Sequence, residues 1–261
     1  MEYKCIQFSV ENQVGTLSMN RPENLNAINL EMLDEMLRAI FEATKDRDVR
    51  AIILKGNGRA FSSGGDIRVM EEMMTGDTET FMKNWITRVH LLEMQLRTIR
   101  KPVIASVHGV ASGQGFNLAL ACDLRIASES ASFNQSWVQL GLTSEGTYFL
   151  PRLVGVGKAT EMFFSGDSIS AGDAHRWGII NRVVPDDELE AETIAWATRM
   201  ASGPTEALGR IKLLINSSHK NLLDVHLAQE SELIAETTRT ADFKEGVQAF
   251  LDKREPRFKG E

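Results

Sequence analysis

The stretch Gly56-Asn-Gly-Arg-Ala-Phe-Ser-Ser-Gly-Gly-Asp-Ile67 decides how the rest of the chain is read. It follows Ala51-Ile-Ile-Leu-Lys55, a short apolar run of the kind that forms a buried strand. It precedes Arg68-Val-Met-Glu-Glu-Met-Met74, which reads as the start of a helix. A strand that opens through a glycine pair into a helix leaves backbone N–H groups converging on one spot. Such a spot suits an anion or a developing oxyanion. Most glycine pairs are only turns, so the reading needs support elsewhere in the chain.

A second turn of the same kind lies further on. Val103-Ile-Ala-Ser-Val107 reads as another buried strand. It runs into His108-Gly-Val-Ala-Ser-Gly-Gln-Gly115 and then an apolar helix, Phe116-Asn-Leu-Ala-Leu-Ala121. Asp123-Leu-Arg-Ile-Ala127 is a further short strand. Between the two turns a helix is predicted from Glu79 to Arg100, through Trp85, Val89, Leu92 and Leu96. Lys101-Pro102 stops it, because a residue before proline is pushed out of helical geometry. Upstream, Ile6–Val10 and Val14–Met19 read as a hairpin, and Asn20–Ile28 as a loop. A helix follows from Asn29, with Leu30, Leu33, Leu37, Ile40 and Phe41 at helical spacing. Repetition of strand, turn, helix and strand is an α/β pattern with crossovers. Two glycine turns roughly 50 residues apart could meet at one sheet edge, where α/β proteins place ligands.

From Ala131 to Pro151 the chain reads as irregular, with Glu145 between Ser144 and Gly146. Helices are expected near Gly157–Ser165 and Ser170–Arg176, and a last strand at Asn181–Pro185. Beyond Pro185 the pattern is helical to the end: Asp186–Ala201, Pro204–Ser217, Leu222–Thr238 and Asp242–Lys253. The expected organisation is a mixed core over residues 1–190 and a helical region over 191–261. The apolar surface of those helices needs the core or another subunit to cover it.

Composition narrows the function classes. The 261 residues are 43% hydrophobic and 25% charged, which is ordinary globular usage. A net charge of −7 argues against a nucleic-acid partner. Cys5 and Cys122 form neither a disulfide framework nor a metal spacing, so no metal is expected. With no leader pattern read at Met1, a reducing cytoplasm is expected. No apolar run reaches the ~20 residues of a membrane span.

Taken together, these stretches resemble the crotonase (enoyl-CoA hydratase/isomerase) superfamily. The match rests on Asn20-Arg-Pro-Glu-Asn-Leu-Asn-Ala27, Ala60-Phe-Ser-Ser-Gly-Gly-Asp-Ile67 and Val107-His-Gly-Val-Ala-Ser-Gly-Gln-Gly115 with Ala119–Asp123. It continues in Leu150-Pro-Arg-Leu-Val-Gly155, Ser165-Gly-Asp-Ser-Ile-Ser-Ala-Gly-Asp-Ala174 and Phe250-Leu-Asp-Lys-Arg254. The resemblance implies an α/β spiral of ββα turns with a helical C-terminal region, assembled as a homotrimer or hexamer. It implies no tightly bound cofactor, coenzyme A entering as part of a thioester substrate. The thioester oxygen would lie between the backbone N–H groups of Gly65 and Gln114. Ser63, Gly64, Asp66 and Ile67 would line the coenzyme A path, and Leu25 and Ala27 would lie near the adenine. Lys253 is a candidate for a coenzyme A phosphate, in its own or a neighbouring subunit. Asp66 has a second reading as a helix cap.

The departures bear on the reaction. Hydratases of the superfamily resemble one another in two glutamates that activate water. Alignment of the second turn puts one at Asn117, and alignment of Ala131-Ser-Phe-Asn-Gln-Ser-Trp137 puts the other at Trp137. An amide and an indole take no proton from water at neutral pH. Glu145 remains, and an acid near this place in double-bond-shifting relatives moves a proton along the acyl chain. Trp137, Phe116, Phe133 and the methionines of 68–74 would wall it in. The expectation is an isomerase of enoyl-CoA with Glu145 as acid and base. Open alternatives are a hydratase with an unusual site, a decarboxylase with His226 as its candidate residue, and a non-catalytic acyl-CoA binder.

Overall fold

The computed structural model describes residues 3–261. Strands β1 (Ile6–Glu11) and β2 (Val14–Met19) form the hairpin, joined through Asn12 and Gln13, both at positive φ. Two consecutive positive-φ residues give a turn whose twist matches that of the strands. From β2 onward the sheet is parallel. It continues through β3 (Ala51–Gly56), β4 (Val103–Val107), β6 (Leu124–Ser128) and β9 (Arg182–Val184), in the order β1-β2-β3-β4-β6-β9. A second, three-stranded sheet has the order β5-β7-β8, from Val110–Ser112, Ser132–Asn134 and Ile169–Ser170.

Alternation along the parallel strands separates two cores, because successive side chains leave opposite faces. Ile52 and Leu54 join a large core with α1 (Leu30–Lys45), α3 (Thr78–Thr98) and α4 (Gln114–Ala121). Ala51 and Ile53, with Val14, Ile104 and Ile126, pack instead on α7 (Leu189–Ala201) through Leu189, Trp196, Ala197 and Ala201. Residue 190, the expected domain boundary, therefore lies inside a helix that packs on the sheet. Among the described residues no helix is long and apolar enough to cross a membrane.

Three segments differ from their sequence expectation. The second glycine turn contains strand β5, because Ala111 pairs with Ser62 of the first turn and Ser112 with Asn134. The stretch expected to be irregular supplies β7 and a single 3-10 turn at Ser136–Leu140. Helix α5 begins at Leu150 rather than Gly157. Pro151 is tolerated in the first turn, and Gly155 at φ 77° bends the helix there. The remaining helices are α2 (Ile67–Met73), α6 (Ala171–Arg176), α8 (Thr205–Ser217), α9 (Leu223–Thr237) and α10 (Ala241–Asp252).

The C-terminal helices are bolted to the core by buried polar contacts. Arg50 at the start of β3 donates to Thr205 Oγ1 and to the Gly203 and Phe258 carbonyls. Lys212 of α8 is buried, 2.7 Å from Asp123, and donates to the Leu96 and Lys101 carbonyls. Asp123 also accepts from the Val103 N–H at 2.8 Å, so one charge pair joins α8, α3 and the edges of β4 and β6. Removing one partner of such a pair leaves the other buried and uncompensated. Lys212→Ala is expected to cost about 3–5 kcal/mol of stability, read as a lower urea midpoint at unchanged slope. An unchanged midpoint would mean that the pair holds nothing.

Candidate active site

The loop before the first helix braces the first glycine turn. Buried Asn26 donates through Nδ2 to the Asn57 and Ala60 carbonyls, at 2.8 Å each, and accepts from the Arg21 N–H at 2.9 Å. Arg21 reaches Asp66 at 2.8 Å, and Asp66 caps α2 by accepting from the Arg68 N–H. Both demands on Asp66 are structural, which favours its reading as a cap.

The two glycine turns then touch. Ser62 N–H donates to the Val110 carbonyl and Ser112 N–H returns the bond to Ser62, each at 3.0 Å. Gly64 has φ 100°, and a Cβ there would lie 2.9 Å from the Ser112 carbonyl and 3.5 Å from the Gln114 nitrogen. Only glycine meets both conditions. In the first turn, the N–H groups of Ser63, Gly64 and Asp66 are used, by the Leu25 carbonyl, Ser62 Oγ and the Ile28 carbonyl. Among the described residues, the N–H groups of Gly65 and Gln114 have no acceptor. Gln114 is the first residue of α4, so its N–H also carries the partial positive charge of a helix start.

These two donors line a cleft of 440 Å³. Leu25, Ala27, Ser63, Gly64, Asp66, Ile67 and Trp137 line it as well, so nine residues singled out in the sequence share one wall. A larger cavity of 620 Å³ runs along β1–β4 and α7 and contains none of the singled-out residues. No buried polar group lacking a partner lies on it, which makes it a less suitable place for chemistry.

Glu145 is not on this cleft, but Gln114 and Trp137, which are, belong to a set of buried polar groups without partners. Trp85 Nε1, both polar ends of Gln114, Asn117 Nδ2, Trp137 Nε1 and both Glu145 oxygens are buried without hydrogen-bond partners. Trp85 and Met70 lie at Gly65, where a Cβ would come within 3.6 Å and 2.8 Å of them. Glu145 sits in the loop before α5. Gly146, at φ 77°, lets the Asn117 side chain lie where a Cβ would otherwise be. Burial raises the Glu145 carboxyl from its ordinary 4.5 to about 7, and the nearby Asn117 amide opposes that rise. His90 of α3 approaches within 3.9 Å of Glu145 Oε1.

Comparison with known proteins places the chain in a family. A family model described as Enoyl-CoA hydratase/isomerase matches residues 9–261. The chain belongs to the enoyl-CoA hydratase/isomerase family. It is 39% identical over 253 residues to 1,2-epoxyphenylacetyl-CoA isomerase of Escherichia coli, covering 96% of this chain and 97% of that one. It is 38% identical over 259 residues to a short-chain-enoyl-CoA hydratase of Clostridium acetobutylicum, with 97% of each covered. A crystal structure of enoyl-CoA hydratase from Bacillus anthracis superposes with a TM-score of 0.93 at 32% identity, over 99% of this chain and 100% of that one. The crotonase fold expected from the sequence is therefore shown.

As an enoyl-CoA hydratase/isomerase family member, the chain has one acid that the alignment of motifs missed. Glu93 on α3 is buried, and its Oε1 has no partner. Burial and the charge of Glu145 together raise it from 4.5 to about 8. Its signal was in the sequence: Trp85, Val89 and Leu92 mark the buried face, and Glu93 follows Val89 by four residues. An acid on an apolar helix face needs a reason.

Other singled-out groups are placed apart. Lys253 ends α10 at φ 54° and is not on the cleft. His226 of α9 lies 3.5 Å from Glu230, away from the cleft lining. Phe116 and Phe133 are buried with ring centroids 5.3 Å apart. Met70 is buried, but Met74 is 70% exposed, so the methionines of the first turn do not all serve as walls.

Both raised carboxyls bind protons more tightly folded than unfolded. The folded chain thus carries the extra protons between about pH 4.5 and 8, and stability falls as pH rises through that window. Glu93→Gln is expected to melt above wild type at about pH 8–9, the difference closing near pH 4.5. Thermal melts across that range check it, and equal melting temperatures at every pH would remove the buried titration.

Proposed function

We propose that the protein shifts a carbon–carbon double bond in an enoyl-CoA thioester. The supporting observation is Glu145: a buried carboxylate with neither oxygen hydrogen-bonded, held near neutrality by burial, where Asn117 and Trp137 provide no acid. The thioester oxygen sits between the free N–H groups of Gly65 and Gln114. Charge that appears on it in the enolate is stabilised there, each donor contributing about 3–4 kcal/mol by analogy with other oxyanion holes. Glu145 takes a proton from the acyl carbon next to the thioester and returns one further along the chain. Coenzyme A enters as part of the substrate, with its adenine toward Leu25 and Ala27, and no other cofactor is required. Trp85, Met70 and Trp137 keep water from the enolate.

A second reading is addition of water across the double bond. Glu93 favours it, since a second buried acid restores the two-carboxylate count through a different helix. The substrates separate the two. With a 3-enoyl-CoA an isomerase raises the absorbance of the conjugated thioester; with a 2-enoyl-CoA a hydratase lowers it. Glu145→Gln is expected to cut isomerisation by at least about 100-fold. Wild-type turnover in that variant would end the role assigned to Glu145.

The helical region also supports assembly into a trimer or a pair of trimers. Leu222, Leu223 and Phe250 are 75%, 73% and 83% exposed, more apolar surface than a lone chain leaves in water. Light scattering is expected to give three or six times the 29.1 kDa chain mass; a monomer would refute it.

A further inference from the structure

The buried, unpartnered polar groups of this region include one acid more than a single proton shuttle needs. His90 and Glu93 are three residues apart on α3 and so share a face. His90 reaches Glu145 at 3.9 Å from the exposed end of that face, while Glu93 stands one turn further along, buried, with Oε1 unbonded. Helix α4, which packs on α3, presents only the neutral amides Gln114 and Asn117. The arginines of α3 and the lysine of α8 are engaged elsewhere. Arg97, one turn beyond Glu93, is bonded to Asn216. Arg88 is paired with Asp34 of α1, and Lys212 of α8 with Asp123. His90 itself is 55% exposed.

We propose that Glu93 is the second acid–base residue of this site, giving a proton to one end of the shifting double bond while Glu145 takes one from the other. The inference rests on the isomerase reading. In a 3-enoyl thioester, the Glu145 carboxylate removes a proton from C2. The electrons of that C–H bond form the dienolate, whose oxygen accepts from the Gly65 and Gln114 N–H groups. C4 then takes the proton of the Glu93 carboxyl, the C3–C4 double bond is consumed, and the C2–C3 double bond and the carbonyl form. The product is the conjugated thioester, with Glu145 protonated and Glu93 ionised. Glu145 then loses its proton to solvent and Glu93 takes one from solvent, which restores the starting state. Burial and mutual repulsion favour this one-proton form near neutral pH, because two ionised buried carboxylates repel and two protonated ones leave no base.

The test is the fate of a label. A 3-enoyl-CoA deuterated at C2 is turned over in ordinary water, and the product is read by mass spectrometry. Two groups working in relay deliver a solvent-derived proton, so wild-type product carries no deuterium at C4. In Glu93→Gln, Glu145 must do both steps: kcat is expected to fall about 100-fold, some deuterium appears at C4, and the alkaline limb of the pH–rate profile disappears. Glu93→Asp, which keeps the carboxyl, is expected to recover the limb and the label loss in part, which a packing role would not do. Deuterium at C4 in wild-type product, or a Glu93→Gln enzyme with wild-type kcat and pH profile, overturns the assignment while leaving isomerisation intact. If wild type does not isomerise the substrate at all, the isomerase reading falls and takes this assignment with it.

Discussion

The contact between the two glycine turns is the constraint on which the rest of the structure depends. Ser62 and Ser112 exchange backbone hydrogen bonds across it, and Gly64 lies against the Ser112 carbonyl where no side chain fits. That closeness is what brings the free N–H of Gly65 and that of Gln114 onto one cleft. Much of the surrounding polar structure maintains it. Asn26 ties the loop before α1 to the first turn, Arg21 and Asp66 fix the start of α2, and the parallel β3 and β4 deliver the turns to the same sheet edge. The donors are thus positioned before any ligand arrives, so orienting them costs nothing at the moment charge develops.

The buried polar groups around Glu145 work against the stability of the fold. Indole, amide and carboxylate atoms among them have no partners, and each such atom costs roughly 1–3 kcal/mol relative to a satisfied one. The same desolvation that destabilises the chain holds Glu145 and Glu93 near neutrality, where a carboxyl can both take and give a proton. Elsewhere the molecule treats buried charge differently. Lys212 and Asp123 are paired and bonded to backbone, and Glu35 accepts from the N–H groups of Lys4 and Cys5. The contrast between satisfied and unsatisfied buried acids separates scaffold from site.

Much of this was legible in the chain because it is local. The apolar runs of β3 and β4, the caps and stops of α1 and α3, and the glycine pair at 64–65 each declare themselves within about ten residues, the range over which strand and helix periodicity operate. Among the misread segments, one was decided by distant pairing and one by a local preference of proline. Val110–Ser112 forms a strand because Ser62 and Ser132–Asn134 lie beside it, and Leu150-Pro151 starts a helix because proline suits a first turn. Glu93 was hidden for a different reason. Motif alignment looked for acids at Asn117 and Trp137, whereas the second buried acid lies on α3, about a fifth of the chain earlier than Glu145.

That displacement bears on how one fold supports several reactions. The oxyanion donors are backbone groups, so side-chain replacement at Gln114 leaves them in place, provided the larger residue finds room beside Gly65. The acids are side chains on separate elements: the Gly141–Phe149 loop for Glu145 and α3 for Glu93. Either can be moved, lost or gained without disturbing the paired turns. On the proposed reading, the fixed part of the site stabilises an enolate and the movable acids determine where the protons go. On that reading, Asn117 and Trp137 mark a rearrangement of proton traffic rather than a loss of chemistry, since two buried carboxyls with unpartnered oxygens, Glu93 and Glu145, remain.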